Sequence, residues 1–323
     1  MTPDFKIVAA GVNITSQIKG RLLSLSVSDE AGTKSDQVEI TLDDRGGAVE
    51  LPVPGALLVV AMGYKETFLF PMGAFTADEV TMSGPPDQIV IRGKAAALGG
   101  DLKDQKTRAW DKKTIGQIVA TIAGEHKLQA KVSDAFKSIL IEHIDQTEES
   151  DMNFLLRLGE EHDALATVKG QTLLFIGKGE GKTASGIDMV PQVVTLSGSL
   201  RWSATLATRG AYSSAEAHWH NAQTGKREKV VAGKGSPVRK LRHPYCTEAE
   251  AKRAAEAELG RCARGNDSFS VSLVGNPLIA AEGRVMAVGF RPGVSGLWSI
   301  KSVRHQIDAG GFVTSIEAEK PKA

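Results

Sequence analysis

The chain has 323 residues, of which 24% are charged and 41% hydrophobic, and its formal net charge is +1. Such values belong to an ordinary folded protein of two or three domains, and the near-zero charge excludes a global field that would drive the chain onto nucleic acid or membrane. No apolar run approaches the ~18 residues of a membrane-spanning helix, so no stable membrane insertion is expected. Residues 1–20 lack the charged-then-apolar pattern of a signal peptide. Two cysteines, Cys246 and Cys262, are too few for a disulfide framework and favour a reducing compartment.

Residues 1 to about 95 read as β structure. Val38, Ile40 and Leu42 alternate with Glu39 and Thr41, the pattern of a half-buried strand. Pro52-Val-Pro-Gly55 breaks the chain, and the continuous apolar run from Ala56 to Met62 predicts a strand buried on both faces or lying in a barrel wall. Strands follow at Phe68–Phe75 and Gln88–Arg92, with Gly84-Pro-Pro86 as the turn between them. Near residue 100 the period changes. Thr114 is placed to cap a helix whose Ile115, Ile118, Val119 and Ile122 form one apolar stripe, ended by Gly124 and the Glu-His-Lys that follows. After a strand-like Ser138–Ile144 comes QTEESDMNFLLRLGEE, residues 146–161, which reads as a helix capped by Thr147 or Ser150. Its Met152, Phe154, Leu155 and Leu158 share one side, while Glu148, Glu149 and Asp151 complement the positive end of the helix dipole and Arg157 lies off the stripe. Thr167–Gly177 reads as a hairpin turning near Gly170.

From about residue 186 the β signals return, at Thr195–Thr208 and Tyr212–Asn221. They are interrupted by a helix with a Thr247-x-x-Glu250 capping box, a small-residue face of Ala251, Ala255, Leu259 and Cys262, and a Glu248–Lys252 pair at i, i+4. The chain closes on strands at Arg284–Phe290, Leu297–Ile307 and Phe312–Ala318, the last two joined by Asp308-Ala-Gly-Gly311.

These residues carry a family resemblance. The pattern Gln146, Glu149, Ser150, Asp151, Phe154, Leu155, Arg157, Leu158 resembles one found in the late control protein D family of contractile-tail baseplate hubs. That family is related to the hub-like base of the VgrG spike proteins of type VI secretion. Further matches are Thr247, Glu250, Ala251 and Ala255; the turn Gly275-Asn276-Pro277; a W-x-I-x-x-V-x-H strand with Trp298, Ile300, Val303 and His305; Gly311 with Thr314; and Tyr212 with Trp219. The resemblance covers most of the chain and is weakest before residue 90. It implies an α+β, mainly β fold with two tube-like β-barrel domains, residues 1–97 and 186–323, the second with an inserted helix near 247–262, and an α+β domain over 98–185. It further implies a non-enzymatic structural hub: a homotrimer that joins a hexameric tail tube protein to a separate spike protein. Other baseplate proteins are expected as partners, with transient contact with phage DNA in the lumen. The expected location is the virion baseplate, assembled in the host bacterial cytoplasm. The chain ends a few residues past its last strand with no β-helical repeat, so the spike is expected to be another chain.

Candidate chemistry is thin. Gly177-Lys-Gly-Glu-Gly-Lys-Thr183 follows an apolar strand, but a phosphate loop needs four residues before its Gly-Lys-Thr, and here there are three, with Ile176 where the first glycine belongs. His218, His220, His243, Cys246 and Cys262 lack a C-x-x-C pair; the histidines suit an exposed strand face and the cysteines small buried thiols. The three acids at 148–151 lie within one expected helix turn, and glycoside hydrolysis needs carboxylates facing across a cleft. No catalytic residue, cofactor or metal ligand is therefore assigned. The rival function, a tail-associated peptidoglycan hydrolase in the middle region, would declare itself as a clearing band on cell-wall zymography. The segment Lys226–Arg242 holds seven basic residues against Glu228 alone. It reads as a solvated loop or, alternatively, as a contact for an acidic baseplate protein or DNA, and the absence of interleaved aromatics argues against base stacking.

Overall fold

The structure, a computed structural model, describes residues 1–31, 35–53, 55–96, 102, 104–169, 172–179, 181, 189–207, 212–221, 223–264 and 267–321. The chain begins with β1 (Pro3–Ala9), β2 (Val12–Asn13), a single helical turn α1 (Thr15–Ile18), β3 (Leu22–Glu30), β4 (Gln37–Asp43), β5 (Leu57–Tyr64), β6 (Leu69–Ser83) and β7 (Gln88–Ala95). A mixed region follows: β8 (Gln105–Thr114), α2 (Ile115–Glu125), β9 (Gln129–Val132), α3 (Asp134–Lys137), β10 (Leu140–Ser150), α4 (Asp151–Glu161), β11 (Ala164–Lys169) and β12 (Thr172–Gly177). The remainder is β13 (Gln192–Thr195), β14 (Ser199–Thr205), β15 (Ser214–Asn221), β16 (Lys226–Gly233), β17 (Val238–Tyr245), α5 (Glu248–Arg264), β18 (Ser268–Val274), β19 (Arg284–Val288), β20 (Gly296–Asp308) and β21 (Gly311–Glu319). The fold is mainly β with few helices, as the sequence implies.

The first and last β regions are not separate sheets. A path β14-β18-β21-β20-β3-β4-β7-β6-β5-β1-β2 runs through both, with β19 and then β13 branching from β20. The seam is the antiparallel pairing of β20 with β3, from Ser302↔Glu30 to Asp308↔Ser24. Two apolar cores lie along this path. One gathers Ile7, Leu25, Ile40, Leu58 and Phe75, and takes in Ile307 and Phe312 from across the seam. The other gathers Phe269, Val285, Trp298 and Ile316.

Strand parity explains which residues enter these cores. In β4, Val38, Ile40 and Leu42 are buried and their neighbours are not, as the alternation predicts. In β20 the buried Trp298, Ile300, Val303 and His305 do not share one parity. The register shift between Ile300 and Ser302 inserts one residue, so both pairs point inward. That bulge accounts for the uneven spacing of the W-x-I-x-x-V-x-H pattern.

The run Ala56–Met62 departs from expectation. Leu58, Val60 and Met62 are buried but Leu57 and Val59 are exposed, so the strand is half-buried and presents an apolar outer face.

In the middle region α2 and α4 cover a three-stranded sheet, β11-β12-β9, beside the two-stranded ribbon β8–β10. The helix at 115–125 is as predicted. The Thr114 hydroxyl accepts from the Gln117 N–H and the Gln117 side chain accepts from the Thr114 N–H, which closes a capping box. Ile115, Ile118 and Ile122 are fully buried. Ile122→Ala is therefore expected to cost about 2–4 kcal/mol in chemical denaturation; a loss below about 0.5 kcal/mol would mean that this helix face is not packed.

Two further expectations change. The segment Lys226–Arg242 is not a loop: it supplies β16 and most of β17, which flank β15 in a sheet of order β16-β15-β17. The helix expected near 247–262 packs on that sheet, with Ala215, Ala217, Ala232, Ala251 and Ala255 forming the small core. What interrupts the last β region is thus an α/β unit and not a lone helix. The capping box holds, as the Glu250 N–H donates to the Thr247 hydroxyl at 3.2 Å and the Thr247 N–H to Glu250 at 3.3 Å.

Candidate functional site, a buried charge network and a bonded turn

The stretch 146–161 is not one helix. Gln146–Ser150 end strand β10, and the helix starts at Asp151 with Ser150 as its cap, its hydroxyl accepting from the Asn153 N–H at 3.2 Å. A bulge between Gln146 and Glu149 places Glu148 at φ 47°, where the chain leaves the ribbon. The acids that the sequence assigns to dipole capping separate in role. Glu149 pairs with Arg157 at 2.7 Å, and the Arg157 guanidinium also donates to the Asp145 carbonyl and lies over the Phe154 ring.

Asp151 is fully buried and collects four partners. One oxygen receives Arg108 at 2.6 Å and the Gln146 amide at 2.8 Å; the other receives Lys106 at 2.6 Å and His126 at 2.7 Å. Because a carboxylate only accepts, the His126 Nε2 carries the proton in that bond. Glu125 bridges the same two cations, at 2.8 Å to Lys106 and 2.6 Å to Arg108. Gln146 accepts from Arg108 and donates to the Glu149 carbonyl, and Arg108 stacks over Trp110. Burial pushes the Asp151 carboxyl up, but hydrogen bonds from Gln146, His126 and Lys106 and the charge of Arg108 outweigh it and hold it down at about 2. Gln146 and Asp151 of the sequence pattern thus meet at one place, and Phe154 stacks on Trp110 beside them, ring centres 6.0 Å apart. Lys106, Arg108, Glu125 and His126 escaped the sequence reading, although Lys106 and Arg108 at i, i+2 on a strand were a usable signal.

Glu125, His126 and Asp151 approach within 4.8 Å of one another, which would suit a metal ion. Lys106 and Arg108 already hold the carboxylate oxygens, so a cation would have to displace both. Among the described residues the five histidines and cysteines at 218–262 make no such group. His218 pairs with Glu216 at 3.5 Å, Cys262 is half-buried, and Cys246 is exposed, which corrects the expectation of two buried thiols. Of the Gly177–Thr183 segment, residues 180, 182 and 183 lie outside the described residues.

A second node lies beside the seam. The buried His305 donates from Nε2 to the Ile279 carbonyl at 3.0 Å and faces the Thr314 hydroxyl with Nδ1 at 3.0 Å. Thr314 in turn accepts from the Asn276 N–H at 2.8 Å. The Gly275 N–H donates to the Phe312 carbonyl, and its own carbonyl accepts from the Tyr64 hydroxyl at 2.8 Å, across the two β regions. Gly275 must be glycine here: a Cβ would stand 2.1 Å from the Phe312 ring. The turn Gly275-Asn276-Pro277, His305 and Thr314 are therefore one bonded assembly. Burial lowers the His305 pKa, which keeps the ring neutral and its Nδ1 an acceptor for Thr314.

These groups set the response to acid. Burial and then the Arg253 charge hold half-buried His162 down at about 4, and His305 is also lowered. Unfolded histidines bind protons from about pH 6.5, so the stability contributed by the neutral folded forms is full above that pH and is lost as pH falls toward 4. The Asp151 contribution is full above the ordinary carboxyl value of about 3.9 and is lost as pH falls through about 2. Equilibrium denaturation against pH should show a first decline below 6.5 and a second below 4; a flat profile from 6.5 to 4.5 would contradict the histidine assignment.

The family described as Phage tail baseplate hub (GPD) matches residues 60–311 of this chain. The chain is 35% identical to the "Probable baseplate hub protein" of Escherichia phage P2 and 33% identical to that of Escherichia phage 186, covering in each comparison 99% of this chain and 93% of the relative. The crystal structure of the prophage MuSo2 43 kDa tail protein from Shewanella oneidensis superposes with a TM-score of 0.74 at 14% identity, covering 99% of both chains, and shares the fold. With a family match across the node at 275–305 and the network at 106–151, and with both relatives aligned nearly end to end, the chain belongs to the phage tail baseplate hub family, as a structural part of the virion tail and not as an enzyme.

Proposed function

We propose that three copies of this chain form a ring at the centre of a contractile-tail baseplate, joining the six-fold tail tube to a separate three-fold spike. The reading rests on one observation, the antiparallel seam between β20 and β3. On either side of it stands a hairpin, β20–β21 on one side and β3–β4 on the other, and each is followed outward by two more antiparallel strands, β18 and β14 or β7 and β6. Two similar β units per chain turn three copies into six, which is what a hub between a hexameric tube and a trimeric spike requires. The units we assign are residues 1–97 and 186–323, each tube-like, with 98–185 as an α+β domain between them.

Other baseplate proteins and DNA in transit are its remaining partners, and assembly takes place in the host cytoplasm. Light scattering on hub co-expressed with its spike should give three hub copies per complex. Two or six copies would overturn the reading.

A further inference from the structure

We infer that the two ends of the long sheet meet between copies of this chain, with the β14 end of one copy seated on the β1–β2 end of the next. The inference rests on the trimeric reading and names its contact surfaces. At one end, β14 has a single neighbouring strand among the described residues, β18, which leaves its other edge open. Around that edge lies an apolar patch. Leu200 is 60% exposed and Val193 67%, and Leu196, Leu206 and Val288 are exposed as well. Several adjoin: Val288 pairs in register with Thr195, next to Leu196; Leu206 abuts Gly293; and Trp202, two residues along β14 from Leu200, packs on Phe290. Soluble monomers rarely present so many large apolar side chains together, and open edges are usually guarded by proline or lysine, which β14 lacks.

At the other end, Val12, Leu51 and Val53 rim a groove of about 610 Å³, floored by Ile40, Leu42 and Leu58. Val53 is 75% exposed, and Leu57 continues the apolar surface along β5. Among the described residues, Arg21 and Glu50 are the charged ones that line the groove. Glu50 has no ion pair within the chain among the described residues, and neither does Arg201, the single charge on β14. The two ends are thus apolar; Arg21 is held by the Asp43 and Arg45 carbonyls, which leaves Glu50 at one end and Arg201 at the other as side chains of opposite charge with no hydrogen bond or ion pair among the described residues.

A ridge that fits a groove elsewhere on the same molecule makes a heterologous contact, the kind that closes into a ring. The contact is side-chain packing and not strand addition, because the outer edge of β1 is already taken. The Ile7 N–H donates to the Thr15 hydroxyl, the Ile7 carbonyl accepts from the Ile14 N–H, and Pro3 has no N–H to offer.

The test uses full-length hub co-expressed with its spike, and light scattering as the readout. Leu200→Arg spoils the ridge and Val53→Arg the groove; both positions are exposed, and circular dichroism melting confirms that each variant folds. Three copies are expected for the wild type and fewer for each variant. Mixing the two variants should restore one intact contact and give hub pairs that grow no further. Arg201→Glu combined with Glu50→Arg should assemble where either change alone weakens the ring, and this pair carries the test if an arginine variant melts early. If both arginine variants keep three copies, this contact is wrong and the trimer stands. If the mixture yields no pairs, the two ends do not meet each other and are covered by other baseplate proteins. A wild type without three copies would overturn the trimeric reading itself.

Discussion

Asp151→Ala is expected to destabilise the middle region by about 3–5 kcal/mol, because it leaves the half-buried Lys106 and Arg108 with Glu125 alone and strips the buried His126 and Gln146 of their acceptor. The carboxylate has no exposed surface and accepts from Arg108, Lys106, His126 and Gln146 at 2.6–2.8 Å. Glu125 would still face Lys106 and Arg108, but it lies nearer solvent and reaches neither Gln146 nor His126. Asp151→Asn keeps the shape and one acceptor, so a smaller loss is expected, and its decline in stability below pH 4 should be shallower than that of the wild type, with Glu66 and Glu125, also held low, accounting for what remains. Chemical denaturation of the full chain measures the first, and its pH dependence the second. A loss under about 1 kcal/mol for the alanine variant would mean that the network contributes little beyond an exposed ion pair.

Trp298→Ala is expected to cost a similar ~3–5 kcal/mol, in a different core and by a different mechanism. The indole is fully buried, lies 5.4 Å from the Phe269 ring, and donates from Nε1 to the Val294 carbonyl at 2.7 Å. Truncation opens a cavity and orphans that carbonyl. Trp298→Phe should recover most of the packing and still lack the hydrogen bond, with a cost of about 1–3 kcal/mol. Because the two sites share no partners, the Asp151 and Trp298 losses should add within ~0.5 kcal/mol in the double variant. Strong coupling would show that the middle region and the second core unfold as one unit.

Much of the fold was legible because its signals are local. Thr114 and Gln117 stand three residues apart and close a capping box by themselves, as do Thr247 and Glu250. The alternation of Val38, Ile40 and Leu42 places one face inward whatever strand lies alongside. Asp308 and Gly311 pair across a two-residue turn, as their composition suggests. The uneven W-x-I-x-x-V-x-H spacing was present in the sequence, yet it made sense only once the bulge at Ile300/Ser302 was seen.

The sequence by itself determined the family, the mainly β class, the two long helices of the middle region and the residues of the turn node, since each rests on near neighbours or on a full-length pattern. Tertiary structure alone decided the rest. Gln146–Ser150 became strand because β8 supplies a ladder partner, and local propensity yields to such pairing. Asp151 became a buried ion because Lys106, Arg108 and His126 converge on it from elements up to 45 residues away. Lys226–Arg242 became strands because β15 offers both of its edges, which no charge count reveals. The joining of the first and last β regions at β3 and β20 depends on contacts some 280 residues apart, such as Arg304 with Ser26. Backbone groups there are satisfied only when the two distant edges meet, and nothing within either segment specifies the other.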